Sequence, residues 1–530
     1  MMQKASRHLQ SLQRQRSHNR SDLSDLNKET MRLRKRLRSF SVFSERGFII
    51  MAVLEQLEPK EVFHFFEEIC RIPHGSDNLQ QISDYLVQFA KDRNLEVVQD
   101  NALNVIIRKP ASKGYEDRDP IILQGHMDMV AVSDPDADID MKKDSLRLET
   151  DGEFVWAKGT SLGGDDGIAV AYSLALLDSD TILHPLLEVV ITTNEETGMD
   201  GARAIDLSGL KGRQLLNMDN EEEGVLLTSC AGGGRFHSYL SVNRIKRSGT
   251  AYNLEITGLL GGHSGEMIIK GRGNANCLMG RLLTELREKV DFSIVDLSGG
   301  VADNAIPRSA QAKIILPQEV KADALLRAVK QTENAVYTEL ELKDPGVKFN
   351  CMELEKGTFE CLDETSLKKV SELICSLPNG VQAMSAAIVG LVETSLNLGI
   401  MKLDKELLTL EFSVRSSIES SKNNLFQKLE MITEAFGGRS DITGAYPGWA
   451  YKQDSKLRSH MIEVYQKLYG KEPAVVAIHA GVECGLFSEK ISGLDCISIG
   501  PDMQDIHTTG EKLSVASTKR TWEYIKAVLE

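Results

Sequence analysis

The sequence predicts an α/β protein whose main domain is built on a mostly parallel β-sheet. Short apolar stretches that favour strands alternate with longer segments of helical apolar spacing. Such alternation produces parallel sheets covered on both faces, and ligands of these sheets lie beyond the carboxyl ends of the strands. At 530 residues the chain exceeds what one hydrophobic core usually serves, so we expect at least two domains.

The elements of the main domain follow in order from residue 51. Helices are predicted where apolar residues recur every three or four positions, and strands where four to six apolar residues lie between polar or turn-forming ones. The predicted helices are 59–70, 78–91 and 167–177, and the predicted strands are 95–99, 120–123, 186–191, 214–218, 474–478 and 495–499.

A different pattern begins at the glycine run near residue 232, where alternating strands are each followed by an amphipathic helix. The patterns of residues 313–340 and 409–436 both predict a strand, a short polar link and a helix, which indicates an internal duplication. We therefore predict an α+β domain at residues 233–447, inserted into a main domain formed by residues 51–232 and 448–530.

Residues 1–50 differ from the rest of the chain. They hold twelve Lys or Arg residues against four Asp or Glu residues, and they contain no capped amphipathic element. We expect a basic, disordered extension. A nucleic-acid or membrane tail and a targeting peptide are alternatives. Sequence upstream of the true start is the most economical interpretation, because the folded pattern begins at Met51.

Charge and composition exclude several classes of protein. The chain has a net charge of −15, so the part after residue 50 carries about −23, which argues against a nucleic-acid partner. No apolar run approaches the roughly 20 residues that a membrane span requires. The eight cysteines form no CxxC pair, and no signal peptide is evident, so we expect reduced thiols and a cytoplasmic location.

The titratable residues of the main domain follow its predicted strands. The carboxyl ends of parallel strands meet at one edge of a sheet, so we expect these side chains to converge there. Two neighbouring carboxylates after one strand would repel each other unless a cation or a proton relieved them. The residues concerned are His126, Asp128, Glu195, Glu196, Asp219 and His507.

His126 and Asp128 share one face of an extended segment, because alternate side chains of a strand point the same way. A carboxylate on one ring nitrogen of His126 would fix its tautomer and leave the other nitrogen for a metal ion. A buried histidine with a satisfied hydrogen bond is the alternative for this pair taken alone.

A glycine-rich loop at residues 159–168 opens a predicted helix and carries Asp165 and Asp166. Helix N-termini favour anions, so capping by either aspartate and phosphate binding are both alternatives to metal binding. The Lys-Ser/Thr pair of a nucleotide-binding loop is absent. Two histidines and several carboxylates from five loops together form the mixed nitrogen and oxygen set that suits zinc.

Five motifs occur in an order that resembles the di-zinc dipeptidase and deacylase superfamily: GHMD at 125–128, GTSLGGD at 159–165, NEETG at 194–198, NMDNEEEG at 217–224 and DIHT at 505–508. Within it, residues 51–530 are similar to the aminoacyl-histidine dipeptidases. The resemblance implies a zinc-peptidase catalytic domain and, at 233–447, a lid domain.

The resemblance also implies the site and its cofactors, two Zn²⁺ ions per subunit with Co²⁺ or Mn²⁺ as substitutes. Asp165 would bridge the ions, His126 and Asp219 would complete one ligand shell, and Glu196 and His507 the other. Asp128 would steady His126, and Glu195 would act as the general base on a metal-activated water.

In the inserted domain, His263 resembles the lid histidine that stabilises the oxyanion, with a solvent-facing histidine in a turn as the alternative. Arg415 resembles the lid arginine that holds a substrate's terminal carboxylate, with a strand-end arginine of no function as the alternative. Asn304 and His479 lie in further motifs expected near the substrate.

The implied reaction is hydrolysis of dipeptides, with Xaa-His peptides such as β-alanyl-histidine foremost. The alternative is an N-acyl amino acid deacylase of the same superfamily, because both activities use the same metal site. The expected partner is a small peptide substrate, with no nucleic acid or membrane, and a homodimer is compatible with the family.

Overall fold

The computed structural model describes residues 52–530; the predicted basic extension at residues 1–50 lies outside the described residues. Gln56–Glu530 form one compact unit. Within the described part, the helices are α1 (Lys60–Cys70), α2 (Gln80–Asp92), α3 (Gly164–Asp178), α4 (Asp200–Ala204), α5 (Ala275–Arg287), α6 (Ala322–Leu340), α7 (Glu364–Ser376), α8 (Glu419–Ala435), α9 (Lys456–Tyr469), α10 (Cys484–Lys490) and α11 (Val515–Leu529).

The strands of the described residues form two large sheets and two small ones. They are β1 (Glu96–Gln99), β2 (Val105–Lys109), β3 (Ile121–His126), β4 (Leu148–Thr150), β5 (Phe154–Ala157), β6 (Leu187–Thr192), β7 (Gln214–Asn217), β8 (Val225–Cys230), β9 (Gly232–Ser241), β10 (Arg244–Thr257), β11 (Gly262–His263), β12 (Ser293–Gly299), β13 (Ala305–Ile306), β14 (Ala310–Leu316), β15 (Lys348–Leu362), β16 (Gly380–Met384), β17 (Val392–Leu403), β18 (Leu407–Ser416), β19 (Arg439–Tyr446), β20 (Ala474–Ile478), β21 (Asp495–Ser498), β22 (Met503–Gln504) and β23 (Lys512–Ser514).

The first large sheet has the strand order β1-β2-β6-β3-β7-β21-β8-β20. Strand β3 pairs in parallel with both β6 and β7, β21 pairs in parallel with β7, and β20 with β8. Strand β2 runs antiparallel to β6 and to the edge strand β1, and β21 meets β8 in an antiparallel pair. The predicted α/β class with a mostly parallel sheet is confirmed, and the short antiparallel strand β2 is an element that the prediction lacked.

The centre of this sheet is buried on both faces. All six residues of β3 and all six of β6 are buried, as expected for strands covered by helices on either side. Helix α3 packs on β3 and against α1, and eleven of its consecutive residues from Gly167 to Leu177 are buried. The main sheet is therefore a rigid base for the residues that follow its strands.

The strands of the second large sheet and the helices that connect them form the same succession of elements twice. The first copy is β10-α5-β12-β14-α6-β15, and the second is β9-α7-β17-β18-α8-β19. The sheet order β15-β10-β14-β12-β17-β18-β9-β19 places the copies back to back, joined where β12 pairs with β17. The segments 313–340 and 409–436 fall on β14-α6 and β18-α8, which are equivalent positions in the two copies.

One core serves the second sheet and its helices. It includes Phe236 and Phe412, whose ring centroids lie 6.3 Å apart, and it continues through buried residues of all four helices. The strands of this sheet span residues 232–446, whereas those of the first sheet lie at 96–230 and 474–498. The division at residues 233–447 stays a prediction. Within residues 52–530, no helix has the length and apolarity that crossing a membrane demands.

Candidate metal centre

The five predicted ligands come from five segments that meet at the carboxyl edge of the first sheet. His126 is the last residue of β3, Glu196 follows β6, and Asp219 follows β7. Because β3 pairs in parallel with β6 and β7, these three ends lie side by side. Asp165 lies in the first turn of α3, and His507 lies in the loop between β22 and β23.

The Nε2 atom of each of the two histidines lies near two carboxylates. The Nε2 atom of His126 lies 3.2 Å from Oδ1 of Asp165 and 3.6 Å from Oδ1 of Asp219. The Nε2 atom of His507 lies 3.1 Å from Oδ2 of Asp165 and 3.0 Å from Oε1 of Glu196. The Asp165 carboxylate therefore lies between the histidines and turns one oxygen toward each.

The donor atoms are close enough for metal ions to be shared among them. Ligand atoms of His126, Asp165 and Glu196 all lie within 4.8 Å of one another, as do those of His126, Asp166 and Asp219. Imidazole nitrogens with carboxylate oxygens form a ligand set that zinc accepts. The residues present thus fit one or more divalent cations.

The charges of this cluster need compensation. Burial, together with the neighbouring Asp165 and Glu196 carboxylates, raises the pKa of Asp219 to about 6, although His126 acts in the opposite direction. Burial also raises the pKa of Glu195 well above its usual value. Hydrogen bonds to Asp165 and Glu196 raise the pKa of His507 to about 10. Protons relieve the repulsion among these carboxylates, and bound cations would do the same.

The Asp128 contact differs in detail from the predicted one. The Nδ1 atom of His126 lies 2.9 Å from the main-chain oxygen of Asp128, whereas the Asp128 carboxylate oxygen Oδ1 is 3.6 Å away. The carboxylate accepts hydrogen bonds from the Ser76 hydroxyl at 2.9 Å and from the Glu195 N–H at 3.1 Å. Asp128 thus orients the His126 ring and also holds the loop that bears Glu195.

Asp166 is a buried acid whose contacts the sequence did not predict. Its Oδ2 atom accepts a hydrogen bond from the His126 N–H at 3.1 Å, and burial raises the pKa of its carboxyl group. A Cβ atom at Gly125 would lie 2.4 Å from this oxygen, so glycine is needed for the approach. The backbone at Asp165 and Asp166 is not helical, and the Asp166 carboxylate does not cap α3: Oδ2 accepts from His126, and Oδ1 has no hydrogen-bond partner among the described residues.

A second buried acid, Glu483, lies beneath the strand ends. Its Oε2 atom accepts hydrogen bonds from Nε2 of Gln124 at 2.5 Å and from the Thr192 hydroxyl at 2.6 Å. Gln124 in turn accepts a hydrogen bond from the Asn217 side chain at 2.6 Å. Gln124, Thr192 and Asn217 precede His126, Glu195 and Asp219, respectively, by two or three residues. One polar network therefore connects the ends of β3, β6 and β7.

The residues expected to hold the substrate form a second group. Tyr446 Oη accepts a hydrogen bond from Arg415 Nη1 at 3.3 Å, and Nε2 of His479 lies 2.7 Å from the Ser395 hydroxyl. Burial, together with the nearby Arg415 charge, lowers the pKa of His479 to about 4 and also lowers the pKa of His263. Three nitrogens of this group, all buried, have no hydrogen-bond partner among the described residues: His263 Nδ1, His479 Nδ1 and Arg415 Nε.

Asn304 is exposed, and its main chain lies beside the His263 loop. Its main-chain oxygen accepts a hydrogen bond from the Ser264 N–H at 2.8 Å, and the neighbouring Ala305 pairs with His263 across the small β11–β13 sheet. Asn304 thus lies beside His263, and His479 contacts Ser395, which pairs with Arg415 across β17 and β18. The two pairs adjoin at Gly265, where a Cβ atom would lie 2.9 Å from the main-chain oxygen of His479 and 3.0 Å from the His263 ring. Buried unpartnered nitrogens in such a place are typical of a site that receives a ligand.

Comparison with known proteins gives the class. Residues 122–530 match the model of peptidase family M20/M25/M40, and the chain belongs to this family. It is 36% identical over 482 residues to the cytosol non-specific dipeptidase of Escherichia coli (strain K12), a match that covers 91% of this chain and 99% of that protein.

The solved structures agree with this assignment. The aminoacylhistidine dipeptidase from Vibrio alginolyticus superposes with a TM-score of 0.86 at 36% identity, over 90% of this chain and 97% of that chain. The aminopeptidase PepT from Bacillus cereus ATCC 10987 superposes with a TM-score of 0.50 at 14% identity, over 89% and 98%, and shares the fold. The resemblance inferred from the motifs is confirmed, and the chain is a peptidase.

We predict that Glu483→Gln changes how stability depends on pH. The pKa of Glu483 is about 8 in the folded chain because of burial, against 4.5 for an ordinary glutamate. Between these values the folded chain holds a proton that the unfolded chain lacks, so stability falls as pH rises through this window. The variant lacks this titration, so its stability relative to wild type should rise from pH 5 to pH 8.

Urea unfolding of both metal-free proteins at several pH values measures this difference. Glu489→Gln is the matched control, because Glu489 is exposed in the same helix. The control should follow the wild-type curve at every pH. Parallel curves for Glu483→Gln and wild type would contradict the assignment of a protonated acid beneath the site.

Proposed function

We propose that the chain is a two-zinc dipeptidase that hydrolyses unblocked dipeptides, with Xaa-His peptides such as β-alanyl-histidine among its substrates. The position of Asp165 carries this proposal, since its two oxygens face His126 and His507 separately, at 3.2 and 3.1 Å. A carboxylate placed in this way suits a bridge between two ions about 3.5–4 Å apart. The names of the two relatives at 36% identity support the substrate class.

The ligand sets follow from the histidine contacts. His126 and Asp219 would complete the shell of one ion, and His507 and Glu196 that of the other, with Asp165 shared. Co²⁺ or Mn²⁺ would substitute for zinc, because carboxylate-rich sites discriminate poorly among divalent ions. When bound, the ions supply an acidified water and polarise the peptide carbonyl group.

Glu195 is the group that moves the proton. Its raised pKa, caused first by burial, brings its basicity toward the range that suits a general base near neutral pH. Its N–H is held by Asp128, so the loop that carries it has a fixed position. Glu195 accepts a proton from the attacking water and then donates it to the leaving amine.

His263, Asn304 and Arg415 lie in the predicted lid domain at residues 233–447 and would contact the substrate from there, together with His479 of the main domain. The Arg415 guanidinium binds the terminal carboxylate of the peptide, for which its planar donors are well suited. His263, neutral because its pKa is lowered, donates a hydrogen bond to the oxygen that becomes negative in the transition state. His479 lines the carboxyl end of the substrate, and Asn304 lies near the substrate.

The same metal site would serve an N-acyl amino acid deacylase. Neither relative at 36% identity bears such a name, and both are named as dipeptidases. We therefore favour the dipeptidase. The cytosol in the name of the Escherichia coli relative supports a cytoplasmic location, and a homodimer stays a prediction.

A substrate panel tests this function. Purified, zinc-loaded protein should hydrolyse β-alanyl-histidine and unblocked α-dipeptides, and it should act slowly on N-acetyl amino acids. A dipeptide with an amidated C-terminus should be a poor substrate, because Arg415 loses its carboxylate partner. Liberated amino acids are measured by chromatography, with metal-stripped protein as the control. Faster cleavage of the acylated compounds would refute the dipeptidase and favour the deacylase.

We predict that Glu195→Gln lowers kcat by at least about 100-fold, since a positioned general base contributes on the order of 10²–10⁴. Zinc content measured by elemental analysis should stay at the wild-type value, because Glu195 is no ligand in this scheme. Glu222→Gln is the control, because Glu222 is exposed in the loop after β7 and should leave kcat unchanged. Near wild-type turnover in Glu195→Gln would mean that another group is the base.

A further inference from the structure

The glycine-rich loop at residues 159–168 encloses a carboxylate of the protein itself. Sequence analysis left phosphate binding open for this loop, because a helix N-terminus presents free N–H groups. In the structure these groups face Glu511, whose side chain is only 3% exposed. The anion site of the loop is therefore filled from within the chain.

Four consecutive N–H groups contact the Glu511 carboxylate. Its Oε2 atom accepts hydrogen bonds from Leu162 at 2.8 Å and from Gly163 at 3.1 Å. Its Oε1 atom accepts from Gly164 at 2.8 Å and, at a longer 3.4 Å, from Asp165. Burial raises the pKa of Glu511, and these bonds act in the opposite direction. Hydrogen bonds to a charged acceptor are among the strongest that side chains make.

Two glycines of the loop allow the main chain to approach the Glu511 carboxylate. Gly163 has a φ of 69°, in the left-handed region that glycine adopts without strain. A Cβ atom at Gly164 would lie 3.2 Å from Oε1 of Glu511, tighter than ordinary van der Waals contact. The loop thus lets a carboxylate come close to the main chain on one side.

Glu511 joins two segments that each carry a proposed metal ligand. The last of its four donors is the N–H of Asp165, the residue that faces both histidines. Glu511 itself follows His507 by four residues, and its own N–H donates to Thr508 within the same loop at 3.3 Å. Glu511 therefore connects the two ligand loops directly.

We propose that Glu511 is a positioning residue that fixes Asp165 and His507 at the spacing required by the metal pair. The inference rests on the proposed two-metal function, and it assigns Glu511 no contact with an ion. Groups that orient metal ligands typically change metal affinity by about 10–100-fold when they are removed. Loss of Glu511 should therefore weaken metal binding more than it weakens folding.

Glu188 provides a matched control for a purely structural role. It is likewise a buried glutamate, and it accepts hydrogen bonds from the main-chain N–H groups of Lys211 at 2.9 Å and Gly212 at 2.8 Å. It lies at the start of β6, eight residues before Glu196, the nearest proposed ligand in the chain. Replacing either glutamate by glutamine keeps the shape and removes the charge. Only the Glu511 substitution should weaken metal binding.

The first experiment measures zinc affinity of the full chain by competition with a chelator of known affinity, for wild type, Glu511→Gln and Glu188→Gln. We expect at least one of the two ions to bind about 10-fold or more weakly in Glu511→Gln, and both to bind within twofold of wild type in Glu188→Gln. Wild-type affinity for both ions in a folded Glu511→Gln protein would overturn the proposal. Wild type that binds no zinc would overturn the proposed function itself.

The second experiment restores the missing carboxylate. Glu511→Ala empties the site of its anion and leaves the four N–H groups, so added formate should bind there and recover much of the lost zinc affinity. Chloride at equal ionic strength is the control and should recover little. Folded Glu511→Ala protein that formate does not rescue would contradict the proposal. Failure of both Glu511 variants to fold, with formate present, would assign Glu511 to the fold instead.

Discussion

Repulsion among carboxylates gathered at one sheet edge is the constraint on which the rest of the structure depends. Asp165, Glu195, Glu196 and Asp219 lie at the ends of neighbouring segments, where ligand atoms of His126, Asp165 and Glu196 all lie within 4.8 Å of one another. A buried cluster of this charge is stable only with protons or cations among its members. Cations held by the ligands proposed above would relieve this repulsion.

The acids around the cluster are held mostly by main-chain N–H groups. Asp128 accepts the N–H of Glu195, Asp166 that of His126, and Glu511 those of the loop before Asp165. Main-chain donors belong to rigid elements and cannot turn away as side chains can, so each contact fixes a ligand segment at a set position. The geometry of the centre is built largely into the backbone.

The sequence predicted six of the eight strands of the first sheet, all but β2 and β8, because apolar runs mark buried strands. It also indicated where the polar residues after these strands meet, because parallel strands share one edge. It missed Glu483 and the roles of Asp166 and Glu511 because their partners are distant in the chain: Glu511 lies 346 residues from Asp165, and Glu483 lies 359 from Gln124. No spacing rule relates such pairs. The Glu511 contact also explains why the glycine-rich loop resembled an anion site.

Diffraction from crystals of the zinc-loaded protein, recorded at the zinc absorption edge, tests the central claim most directly. We expect two anomalous peaks about 3.5–4 Å apart, one between Asp165 and His126 and the other between Asp165 and His507. A single peak, or peaks remote from Asp165, would contradict the two-metal centre and the ligand assignments that follow from it.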